Sequence, residues 1–208
     1  MSRQGMGAKV RRFPRVTAFA PGAALAAALA LAACGSTPTP TFDLSAPTAF
    51  AARGAGEGQL VVVTPTALAA LDTERILVEP TPGQITYLPD AQWSDRLTAL
   101  LQARTIQAFE NGSKLRRVAR PGDGIQPDYQ LNLDIRTFGV KVTAGAPEAV
   151  VELSAKVIGV TAGKILAARV FSARVPVTAM NGAGATAALD TASNKVLTDV
   201  VIWASSRF

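Results

Sequence analysis

Tyr129-Gln130-Leu131-Asn132-Leu133-Asp134-Ile135-Arg136 alternates between apolar and polar side chains, with Leu131, Leu133 and Ile135 on one face. A period of two is the signature of a strand that buries one face and solvates the other. The pattern returns twice. Val151, Leu153, Ala155 and Val157 alternate with Glu152, Ser154 and Lys156, and the run from Ile165 to Val177 places Phe171, Ala173, Val175 and Val177 on one side. The links at Thr143–Glu148 and Thr161-Ala162-Gly163 are short and polar or glycine-containing. Such links join neighbouring strands as hairpins, so a three-strand antiparallel meander is the expected frame.

Outward from this frame, Leu60–Val63, Arg75–Glu79 and Gln84–Leu88 read as further strands, and Thr41–Leu44 as a brief one. Pro80 and Pro82-Gly83 mark the turn between two of them. Pro89-Asp90 is expected to open a helix with Asp90 as its N-cap. Trp93, Leu97, Leu100, Leu101 and Phe109 lie along or near its apolar face, and Asn111-Gly112 form its end. A small-residue loop at Asn181–Gly184 precedes a second helix over Thr186–Ala204, striped by Leu189, Val196, Val200 and Trp203 with Leu197 and Val201 beside them. The expected fold is a single α/β domain, a mixed sheet with an antiparallel three-strand meander, packed by two main helices.

The N-terminus carries a different kind of information. A basic head (Arg3, Lys9, Arg11, Arg12, Arg15) precedes an apolar run from about Ala18 to Ala33, which ends in Leu31-Ala32-Ala33-Cys34. This tripartite pattern is that of a secretory signal, and it resembles that of a bacterial lipoprotein. Leu31, Ala32, Ala33 and Gly35 are then the peptidase recognition positions around Cys34, the only cysteine and the expected site of lipidation. The apolar run falls short of the roughly 20 residues needed to span a bilayer. Arg11-Arg12 also raises twin-arginine export, but Pro14 follows too closely for that pattern. Residues 1–33 are thus expected to be a removed signal, 34–58 a lipidated N-terminus with tether and first strand, and 59–208 the folded domain. Acyl chains of the palmitate kind, at about 0.8 kcal/mol per buried CH₂, would hold the protein on a membrane without spanning it. Gly35 stands where aspartate marks inner-membrane retention in many enterobacterial lipoproteins. The periplasmic face of the outer membrane is therefore the expected location, with the inner membrane as the alternative.

Processing also changes the charge. The formal charge of +6 includes five of the 21 Lys and Arg within residues 1–33, so 16 basic residues face 15 acidic ones in the remainder, or +1. Nucleic acid is not an expected partner: the cluster Lys114, Arg116, Arg117, Arg120 lacks interleaved aromatics. Histidine is absent, which excludes Ser/His/Asp and Cys/His nucleophilic arrangements. Asp90 and Asp95 are expected in the first turns of a helix, where the dipole stabilises negative charge without any catalytic role. No catalytic residue, metal set or cofactor loop is assigned. Asn181–Gly184 lacks the glycine spacing of a phosphate-binding loop. Tyr87 and Trp93 are close in sequence; core packing is one reading, a lipid- or partner-binding surface the other.

Leu31-Ala32-Ala33-Cys34, the stretch Ile85-Thr86-Tyr87-Leu88-Pro89-Asp90-Ala91-Gln92-Trp93-Ser94-Asp95-Arg96-Leu97, and Ala168-Arg169-Val170-Phe171-Ser172-Ala173 together resemble the auxiliary lipoproteins of ABC-type transport systems, which include the PqiC-like lipoproteins of MCE-type lipid-trafficking machines. The resemblance implies a non-enzymatic envelope component without a cofactor. Its implied partners are a periplasmic MCE-family protein, an inner-membrane permease and an ATPase; a homo-oligomer is compatible with that role. It also implies an α/β sandwich with a mixed sheet. Tyr87, Leu88 and Trp93 are the candidate partner or lipid surface. A periplasmic carrier that encloses an apolar ligand is the alternative function.

Overall fold

The longest strand sets the architecture by using its two edges differently. In the computed structural model, which describes residues 38–53, 57–115 and 117–207, the elements run β1 (Thr41–Phe42), β2 (Leu60–Val62), β3 (Thr66–Ala67), β4 (Arg75–Thr81), β5 (Gln84–Trp93), α1 (Leu97–Gly112), β6 (Val118–Ala119), β7 (Tyr129–Thr143), β8 (Ala146–Gly159), β9 (Lys164–Pro176) and α2 (Gly182–Ser205). One edge of β7 pairs antiparallel with β8 along its length, and β8 pairs antiparallel with β9. The expected meander is therefore present. Ala144 and Gly145, both at positive φ, make the two-residue hairpin between β7 and β8.

The other edge of β7 receives β2, β3 and β4 in succession, each parallel to it. β6 extends the sheet beyond β2, and β5 then β1 extend it beyond β4. Among the described residues the result is a mixed sheet of nine strands.

A bulge keeps one face of β7 buried throughout. Leu131, Leu133 and Ile135 are buried, and so are Phe138 and Val140, although the spacing has shifted parity. Between Ile135 and Thr137 the pairing with β8 slips by one residue, with Arg136 as the extra one. Such a slip would otherwise turn every later side chain to the opposite face. With the bulge, Leu153, Val151 and Ala149 of β8 oppose Ile135, Phe138 and Val140 in turn.

Both helices pack into a single apolar core with this face. Leu189, Val196, Leu197, Val200, Val201 and Trp203 of α2 are buried, as are Leu97, Leu100, Leu101 and Phe109 of α1. The opposite face carries cross-strand ion pairs: Arg136–Glu152 at 3.2 Å, Lys141–Glu79 at 2.8 Å and Arg174–Glu148 at 3.2 Å. That face is open to solvent.

Three local expectations are corrected. Asp90 caps no helix: the chain stays extended to Trp93, because Gln92 and Trp93 donate their N–H groups to the carbonyls of Pro40 and Glu74. Helix α1 begins at Leu97, and the Asp90 carboxylate accepts from the Gly182 N–H at 3.2 Å, at the start of α2. Asp95 also lies before the helix, accepting from the Arg96 N–H. Gly112 is not a left-handed terminator; it is the last helical residue, where a Cβ would lie 2.0 Å from the Phe50 ring. Finally, Gly182–Gly184 belong to the first turn of α2, with Asn181 as N-cap accepting from the Gly184 N–H at 2.9 Å.

Candidate docking surface

The sequence-assigned surface residues divide between the two sides of the sheet. Trp93 is 1% exposed and meets Phe138 edge-on at 6.0 Å between ring centroids. It is a core residue, not part of a contact surface. The reason is the extended path of β5, which turns Trp93 under the helices instead of starting a helix with it. Leu88 is half-buried against the same core. Tyr87 lies opposite Leu77 on the open face. Its hydroxyl donates to the Ala70 carbonyl at 3.2 Å, and the Arg75 guanidinium sits 3.8 Å from its ring centroid. Leu31, Ala32, Ala33, Cys34 and Gly35 lie outside the described residues.

Beside Tyr87, the open face has an apolar depression of about 130 Å³ over Leu71 and Leu77. Leu68 and Ile85 border it, 75% and 55% exposed. Neither was assigned from sequence. For Ile85 a signal existed, since Ile85 and Tyr87 share a parity in a strand whose Gln84 and Thr86 are polar. Leu68 carries no such signal, since it lies in the continuous apolar run Ala67–Leu71 and outside any strand or helix.

Local bonding holds Leu68 outward. Its carbonyl accepts from Leu71 N–H at 2.8 Å and Asp72 N–H at 3.0 Å, closing a tight turn. Leu71 is buried below it. The Asp72 carboxylate accepts from Thr98 Oγ1 at 2.7 Å and pairs with Arg96 at 3.1 Å, which ties the turn to the start of α1. The exposed leucine is thus presented by a fixed turn.

Charge rims the apolar surface through Arg136, Lys141 and Glu79. The Lys141 ammonium, and then the Gly83 N–H at 3.0 Å, hold the Glu79 carboxyl below its ordinary range. Glu79 is therefore a carboxylate at neutral pH. An apolar centre inside a polar rim is the usual anatomy of a protein-binding patch. Among the described residues, no group of three His, Cys, Asp or Glu is placed to hold a metal, and no helix is long and apolar enough to cross a membrane.

Comparison with known proteins decides the family. The profile of the ABC-type transport auxiliary lipoprotein component matches residues 42–201. The chain belongs to this family. Its fold is similar to the crystal structure of protein XCC0632 from Xanthomonas campestris, with 30% identity, a TM-score of 0.71, and coverage of 81% of this chain and 94% of that one. A second solved structure, of an uncharacterized protein, is 11% identical with a TM-score of 0.64 over 81% of this chain and all of that one; it supports the fold alone. The uncharacterized protein bll6063 of Bradyrhizobium diazoefficiens is 34% identical over 144 residues, which are 69% of this chain and 38% of that protein. The matched stretch thus spans less than half of that relative's length.

Proposed function

We propose that this auxiliary lipoprotein is a non-enzymatic outer-membrane subunit of an MCE-type system that moves phospholipid or another hydrophobic molecule between membranes. Acyl chains on Cys34 hold it on the periplasmic face. Its folded domain docks the periplasmic MCE protein, which connects to an inner-membrane permease and its ATPase.

The observation that carries this reading is the fixed, charge-rimmed apolar patch of Leu68, Ile85 and Tyr87 in a chain of this family. A second observation fits. Thr41 already pairs with Gln92, and the stretch from Cys34 to Thr41 can reach at most ~25 Å when fully extended. Acylation at Cys34 would hold the sheet close to its membrane while leaving the open face available.

The test is affinity purification of the intact acylated protein from envelopes, with a Cys34→Ala control, followed by analysis of proteins and lipids. Recovery of an MCE-type protein with its permease and ATPase is expected. A stoichiometric lipid recovered without them would favour the carrier alternative and contradict the docking role.

A further inference from the structure

A second surface feature lies on the helix-covered side, where the end of α2 meets β9 and the segment around Ala51. It is an open depression of about 550 Å³, within the size range of small-molecule sites. Three guanidinium groups line it, from Arg53, Arg169 and Arg207. None of the three forms an ion pair among the described residues, whereas Arg96, Arg104, Arg136, Arg174 and Lys141 each meet a carboxylate. The lining also includes one carboxylate, Asp199. The C-terminal end of a helix adds roughly half a negative charge. Three cations outweigh both, so the depression is net positive.

Its lining is not merely charged. Phe171 and Trp203 meet edge-on at 5.4 Å between centroids, and the Arg169 guanidinium lies 5.0 Å from the Phe171 centroid. Ile202, 42% exposed, adds apolar surface. Arginine stacked on an aromatic ring presents its N–H groups outward in the planar fork that matches phosphate oxygens. Unpaired guanidiniums beside exposed apolar surface suit a ligand with an anionic head and an apolar body.

We propose that this depression binds the phosphate of an anionic amphiphile, with Arg53, Arg169 and Arg207 on the phosphate and Ile202, over the largely buried Phe171 and Trp203, against the adjoining apolar portion. The site lies on different strands and helices from the Leu68–Ile85 patch, and its existence does not depend on the docking role.

The test is calorimetric titration of the full-length acylated protein, held in a neutral detergent, with dihexanoyl phosphatidic acid, dihexanoyl phosphatidylcholine and inorganic phosphate. Saturable binding of phosphatidic acid is expected, at least tenfold tighter than inorganic phosphate and tighter than the zwitterionic lipid. Arg169→Gln and Arg207→Gln should each weaken it by about tenfold or more, the usual effect of removing one charge-assisted hydrogen bond. Their thermal melts should match the parent, and Leu68→Asp should bind as the parent does. Equal affinity for phosphate and phosphatidic acid would overturn the amphiphile assignment in favour of free phosphate. Absence of saturable binding, or binding unchanged in the double arginine variant, would overturn the site itself.

Discussion

Ser45 donates its backbone N–H and its hydroxyl to the two carboxylate oxygens of Asp190, at 2.6 and 2.7 Å, across 145 positions of sequence. Asn194, one turn further along α2, donates to the Ser45 hydroxyl at 2.6 Å. The segment that follows the proposed acylation site is therefore fastened to the last helix. Any pull transmitted from a lipid anchor is delivered to the body of the domain, not to a free arm.

Removing this clasp should loosen the N-terminal segment before it unfolds the protein. Asp190→Ala is expected to cost about 1–2 kcal/mol, the range for partly exposed charge-assisted hydrogen bonds. Hydrogen exchange should quicken at residues 41–45 while β7 and β8 remain protected. Urea titration and exchange mass spectrometry measure the two effects.

Core and patch should respond oppositely to substitution. Trp93→Ala removes a fully buried indole and should lower stability by about 3–5 kcal/mol, read as a lower melting temperature. Leu68→Asp changes a side chain 75% exposed and should move stability by no more than about 0.5 kcal/mol. The same variant should nonetheless lose the transport partners in affinity purification.

Gly139 has no space for a side chain. A Cβ there would lie 2.6 Å from the Leu77 carbonyl oxygen, in the parallel pairing of β4 with β7. Gly139→Ala should therefore destabilise the sheet by about 1–3 kcal/mol, in the range of overpacked sites. Denaturant unfolding at constant m-value checks it.

Acid should weaken the fold through two carboxylates. For Asp43, burial raises the pKa, but the Arg104 side chain, the Leu44 N–H and Ser94 together outweigh it and leave the carboxyl below its ordinary range. Glu79 is likewise lowered by Lys141 and Gly83. A carboxylate with a depressed folded pKa contributes stability that is present above the unfolded value and lost as pH falls through the folded one. Stability should therefore be level near neutrality and decline below about pH 4, the unfolded range for these groups. Asp43→Asn should flatten that decline when melting temperature is followed against pH.

The meander was legible because β7, β8 and β9 are long enough for alternation to declare itself, as in Leu131, Leu133 and Ile135 against Asn132 and Asp134. The bulge at Arg136 was less so: the three-residue step from Ile135 to Phe138 is its only trace. The parallel docking of β2, β3 and β4 on β7 joins residues 60–79 to 129–141 and leaves no local signature. Pro89-Asp90 has the residue types of a helix start, and the local sequence carries nothing against it. The partners that held it extended, Pro40 and Glu74, are remote in sequence. The same remote pairing decides between the two readings of Trp93 in favour of the core. The parity of Tyr87 in β5 is readable from its strand pattern, whereas the exposure of Leu68 depends on the turn that places it above Leu71.

The docking role is tested most directly by a photoreactive amino acid placed at Ile85 in living cells, compared with the same group at Lys156 on β8. Cross-linking from position 85 to a periplasmic MCE-type protein, reduced by Leu68→Asp and absent from position 156, is the expected result. Equal cross-linking from both positions, or none from position 85 while the acylated protein is folded and in its membrane, would contradict the assignment of this patch.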